Sequence, residues 1–229
     1  MSELASSEYT ARKTVIEKNL AYYEGDQKKW LIDPVTKQPT AENVTINLVK
    51  KVIDQTTSFL FGDSPDIKVG DEAIDAIIEQ LEDANQDDLF YTNVGESGAI
   101  SGHVFIKIIP DPVRGVRWVR QNPALVTAYW SPDDGQNAIA YKIQWSVKTT
   151  DYRQDIVFIK ESNIWLVRDL TRENNGTWLR RNEEDTIWNY PFAPIVDWQN
   201  LPDFTAFYGM SDLTALGLND SVNFTASNI

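Results

Sequence analysis

Through the first hundred residues the apolar positions recur at helical spacing. Val15, Ile16 and Leu20, extended by Ala11, define one face of a helix over about 3–23. It stops at Glu24-Gly25-Asp26, where glycine suits a helix C-terminus. A loop punctuated by Asp33-Pro34 and Pro39 follows. Ile46, Val49, Val52, Ile53, Thr56, Phe59 and Leu60 predict a second helix over about 41–61, with Gly62 as its C-terminal cap and Pro65 just beyond. Residues 66–69 read as a short strand. Ile74, Ile77, Ile78 and Leu81 stripe a third helix that starts near Asp71, and a further helical run over 89–99 follows a break near Asn85. Gly95, Gly98 and Gly102 close the helical part.

After Gly102 the period shortens to two. Strands are expected over 103–109 and 116–120, paired around Arg114-Gly115, then over 124–130, 138–147, 155–160, 164–169 and 177–181. Turns fall at Ser131-Pro132-Asp133-Asp134-Gly135 and at Asn174-Asn175-Gly176. Pro191 and Pro194 flank a strand near 195–198, and Asn200-Leu201-Pro202-Asp203 turns the chain. Ser211 reads as the N-cap of a last helix running from Asp212 to the end, with Asp212 placed where the helix dipole favours an anion. The expected fold class is α+β: N-terminal helices, then an antiparallel β meander, ending in a helix. No glycine cap, proline or charged tail follows that helix, so the sequence is expected to stop inside a longer protein.

Composition narrows the function classes. The chain has 229 residues, enough for one large domain or two small ones, and its 42% apolar content is that of a globular protein. The absence of cysteine excludes disulfides, thiolate metal sites and cysteine nucleophiles, and makes a reducing compartment the default. The polar N-terminus has no signal core, and no run approaches the roughly 18 apolar residues of a membrane span. Net charge is −13, and residues 63–96 hold eleven acids against the single base Lys68. That balance argues against tight sequence-specific DNA binding, but not against a surface past which DNA slides.

Catalytic motifs are scarce. No GxxxxGK[ST] accompanies the glycines, which read as packing and turn positions. His103 is the only histidine and no GxSxG surrounds Ser97 or Ser101, so it reads as structural. Asp83, Asn85 and Asp87 begin a calcium loop, but Asp88 stands where glycine is needed and Val94 where a bidentate glutamate belongs. The acids of 63–96 could supply carboxylates to magnesium; a solvated helix face is the simpler reading. Lys28-Lys29-Trp30 and Trp178 to Arg181 join aromatics to bases, a pattern suited to nucleic acid or sugar. Trp178 reads as core, and Trp30, in a loop, as an interface candidate. No catalytic, cofactor-binding or metal-ligating residue is assigned.

The order of these features resembles the portal proteins of long-tailed bacteriophages. It is carried by Tyr22-Tyr23-Glu24-Gly25-Asp26, by Asn47 in a helix closing with Ser58-Phe59-Leu60-Phe61-Gly62, and by Pro65, Gly102 and Asn122-Pro123. Trp130 with Ser131-Pro132-Asp133, Trp145, Pro191, Pro194, Asn200 and Tyr208-Gly209-x-Ser211-Asp212 complete it, over about 22–228. The resemblance implies a non-enzymatic subunit with no cofactor. Residues 1–208 would form the wing domain, helical over 1–100 and β-rich over 101–208, and 209–229 the start of a stem helix. Clip, tunnel and crown would lie beyond Ile229. It further implies a homo-oligomeric ring, dodecameric in the virion, at the capsid vertex. The implied partners are terminase, head-completion proteins, major capsid and scaffold proteins, and double-stranded DNA passing through the channel. Tyr23, Gly25, Trp30, Asn47, Gly62, Gly209, Ser211 and Asp212 are the structural or interface candidates. Two other readings stay open: a β-rich tail or capsid accessory module binding through exposed aromatics, and a metal nuclease using Asp75 or Glu79.

Overall fold

The computed structural model describes residues 6–31, 45–131, 133–203 and 206–227. Its helices come first: α1 (Ser6–Glu24), α2 (Leu48–Phe61), α3 (Glu72–Asn85) and α4 (Asp87–Ser101), with a 3₁₀ turn at Lys28–Trp30. Nine strands follow, β1 (His103–Asp111), β2 (Gly115–Gln121), β3 (Val126–Ser131), β4 (Asp134–Val147), β5 (Thr150–Ile159), β6 (Ile164–Glu173), β7 (Leu179–Arg180), β8 (Thr186–Trp188) and β9 (Ile195–Gln199). Helix α5 (Leu216–Ser227) closes the described chain. This is the α+β order that the sequence predicts.

The strands make two antiparallel sheets. One is β2-β1-β9; the other is β3-β4-β5-β6, with β7 and β8 both paired to β6. Strand β1 explains the layering. Its run His103 to Ile106 is buried on both faces, which is why it reads as continuously apolar rather than alternating. Phe105 joins Val126, Ala128, Tyr141, Ile143, Ile156, Trp165, Ile195 and Phe207 in the core between the sheets. Val104 and Ile106 face the other way, onto Val94 of α4. Helices, small sheet and large sheet are thus stacked as three layers.

Several expectations are corrected. Residues 66–69 are not a strand: Val69 N–H donates to the Asp75 carboxylate (2.8 Å) and Lys68 pairs with Asp66, so the segment lies along α3 with no strand partner. Helix α2 starts at Leu48 rather than near 41, because Ile46 N–H and Leu48 N–H are drawn to the side chains of Asn223 (2.6 Å) and Asn219 (3.3 Å); residues 41–44 lie outside those described. Trp178 is not core. It is half-buried, with the Arg172 guanidinium 4.6 Å from its ring centre. Strands β1 and β4–β6 extend further than predicted, and β8 is an addition at the sheet edge.

Candidate functional site

Helix α4 ends where β1 begins, and its last carbonyls have no intrahelical partner. Polar side chains from distant parts of the chain converge on them. Asn19 Nδ2 donates to Ile100 O (2.9 Å). Ser211 Oγ lies 2.7 Å from Ala99 O and 2.8 Å from Ile100 O, and Asp212 N–H donates to Ala99 O (2.9 Å). Ser211 is therefore not the N-cap of the last helix, which begins five residues later, at Leu216. The unsatisfied end of α4 outcompetes helix nucleation at Asp212. The Asp212 carboxylate accepts from Asn200 Nδ2 (2.8 Å) instead of sitting at a helix start.

Two glycines permit this docking. Gly102 has φ +80°, and a Cβ there would lie 2.5 Å from Gly209 O. A Cβ on Gly209 would lie 2.6 Å from Gly102 O. The backbones touch, so neither position has room for a side chain. Gly98 carries the same junction to Asn200, and Gly95 lets Phe61 of α2 approach α4. These glycines serve packing and turns, as the sequence suggests.

A second joint connects α1, α2 and α5. Gly25, at φ +81°, ends α1 in a Schellman motif: Asp26 N–H donates to Ala21 O (2.7 Å) and Gly25 N–H to Tyr22 O (3.3 Å). Asn47 caps α2 by accepting from Lys50 N–H (2.9 Å), and its amide donates to Tyr23 O (2.8 Å). The Tyr23 hydroxyl donates to Asp54 (2.7 Å) and accepts from Lys50 Nζ (3.0 Å). Burial of the Tyr23 ring raises its hydroxyl above the usual tyrosine range. Trp30 is half-buried against the cluster of Tyr22, Val49, Ile53 and Leu216, so its ring serves the helical core. Gly62 has right-handed φ (−66°); what restricts it is Ser58 O, 2.4 Å from where its Cβ would be.

Sequence reasoning missed the polar seam of α5. Asn219 and Asn223 are buried and bond the backbone leading into α2, while Asp220 accepts from the Tyr22 hydroxyl (2.9 Å). Burial raises the Asp220 carboxyl above the usual carboxylate range. Asparagines one turn apart on an expected stem helix were the available signal. Also missed was Asp197, which accepts from Tyr141 Oη and meets His103 Nε2 at 3.0 Å between the sheets. The single histidine is thereby a structural residue, packed on Phe105 and Phe207.

Asn85, the centre of the partial calcium loop, is occupied by backbone: it donates to Leu81 O and Val116 O and accepts from Trp118 N–H (2.7 Å). Among the described residues no group of three or more His, Asp or Glu side chains is arranged around a metal position, and no helix is long and apolar enough to cross a membrane. No curated protein sequence matches the chain significantly. Residues 4–197 do match the family model described as phage portal protein, SPP1 Gp6-like. With most of its length matched, from α1 to the middle of β9, the chain belongs to the phage portal protein family.

Proposed function

We propose that this portal protein acts as a ring subunit at the capsid vertex, through which double-stranded DNA is packaged and later ejected. In this reading it is a structural protein with no turnover of its own, assembled in the host bacterial cytoplasm. It docks terminase during packaging and head-completion proteins afterwards, with capsid and scaffold around it. The family match over residues 4–197 carries the proposal. Residues 1–208 are assigned to the wing, and α5 to the start of the stem, keyed to the wing by Ser211 and Asp212.

The alternative, a tail or capsid accessory module binding through aromatics, draws support from Tyr190 and Phe192, which are exposed and stack on each other (5.5 Å between ring centres). Negative-stain electron microscopy of the purified product of the intact gene, including any codons beyond Ile229, separates the two. Closed rings with a central hole, twelve-fold when virion-derived, are expected. A uniform monomer at all protein concentrations would overturn the ring reading and favour the accessory module.

A further inference from the structure

Helix α5 is seated polar side in. Asn219 and Asn223 are buried, while Leu218 and Val222 are 72% and 41% exposed. A dry joint would favour the opposite rotation, because burying leucine and valine gains free energy and burying an unmatched amide costs it.

Each asparagine is only half used. Asn223 Oδ1 accepts from Ile46 N–H (2.6 Å), and Asn219 Oδ1 accepts from Leu48 N–H (3.3 Å). Those bonds fix which end of each amide meets the backbone, so the Nδ2 ends point elsewhere. Both Nδ2 atoms are buried, and among the described residues neither has a hydrogen-bond partner. Asp220 repeats the arrangement. Its Oδ2 accepts from the Tyr22 hydroxyl (2.9 Å), and its Oδ1 is buried with no donor among the described residues. Thr45 Oγ1 is buried and unpartnered in the same sense. The four atoms are neighbours. Asn219, Asp220 and Asn223 fall within little more than one turn of α5, and Thr45 adjoins Ile46, which Asn223 holds.

Their chemistry names an occupant. The amide nitrogens only donate, the carboxylate oxygen only accepts, and the hydroxyl does either. A cation would meet the amide hydrogens, an anion the Asp220 carboxylate, and an apolar side chain would leave all four atoms unpaired. Water accepts two hydrogen bonds and donates two. The spacing agrees: residues one helical turn apart stand about 5–6 Å apart between Cβ atoms, and a water making two hydrogen bonds of about 2.9 Å spans the same gap. We infer that internal water occupies the α5 seam, bridging Asn219 Nδ2 and Asn223 Nδ2 to Asp220 Oδ1 and Thr45 Oγ1. The inference goes beyond the ring reading and does not depend on it. The water sets the spacing between α5 and the segment that leads into α2.

Thr45→Val tests this in the full chain. Valine keeps the branched shape of threonine and removes only the hydroxyl. If Oγ1 binds water, its loss strips the water of a partner, and the urea midpoint falls. The same variant is expected to lose the contribution of that slowly exchanging water to magnetic relaxation dispersion of the water oxygen nucleus. Thr45→Ser, which keeps the hydroxyl, is expected to retain it. If Oγ1 is instead dry and unpaired, Thr45→Val removes a buried polar burden, and the midpoint stays level or rises. That outcome overturns the inference, and so do equal dispersion amplitudes for the parent and Thr45→Val.

Discussion

Asn47 does with one side chain what two residues would otherwise share. Its oxygen caps α2 and its amide holds the last turn of α1. Asn47→Ala removes both bonds and is expected to cost about 1–2 kcal/mol of stability in urea unfolding. Asn47→Asp keeps the cap but turns an acceptor toward the Tyr23 carbonyl, and should recover only part of that loss. An alanine variant as stable as the parent would show that the joint is held by packing alone. Gly102 is a stricter case. A non-glycine residue at its left-handed φ costs about 1–2 kcal/mol before any contact is considered. The Gly209 carbonyl then blocks the new methyl at 2.5 Å. Gly102→Ala is therefore expected to lose more than that conformational cost, and Gly209→Ala to lose stability by overlap alone, without a φ contribution. Both glycines, and Gly25, were legible in the sequence as positions; that Gly102 and Gly209 exclude each other's side chains was not, because that contact joins residues more than a hundred positions apart.

Among the elements, those built by local chemistry were read well and those decided by remote partners were not. The break between α3 and α4 follows from Asn85-Gln86, with Gln86 left-handed at φ +53°. The turn after β6 follows from Asn174 and Asn175, both at positive φ. The start of α5 was misplaced because Ser211 and Asp212 make a good N-cap locally, and nothing nearby reveals the unsatisfied end of α4. Strand β8 is three residues long and exists because β6 offers a free edge beyond β7. That edge is fastened by Arg168, bidentate on Asp185 at 2.7–3.2 Å, and the Asp185 carboxyl is held below the usual carboxylate range by that bond. A depressed folded-state carboxyl contributes stability that is present above its unfolded value, near pH 4, and lost as pH falls through the folded one. Asp151, lowered by Ser146 and Arg172, works with the same sign, and Asp220, raised by burial, with the opposite one. Arg168→Ala should therefore flatten the loss of stability between about pH 5 and pH 2 relative to the parent. Parallel pH profiles for the two proteins would mean that Asp185 contributes nothing to acid sensitivity.

For the molecule as a whole, layering predicts where it opens. Strand β1 is enclosed by α4 on one face and the large sheet on the other, and is bonded to β2 and β9 along both edges. Its amides can exchange with solvent only when both layers separate, so they should report the global stability of the fold. Helix α3 is joined to the body through Asn85 and two half-buried apolar residues, and buries nothing fully. Its hydrogen bonds can open without disturbing any other element. In the monomer, hydrogen exchange followed by mass spectrometry should find α3 near the fast end and His103 to Ile109 at the slow end, in the same experiment. Equal protection of α3 and β1 in the monomer would mean that the isoleucine stripe is covered within one chain.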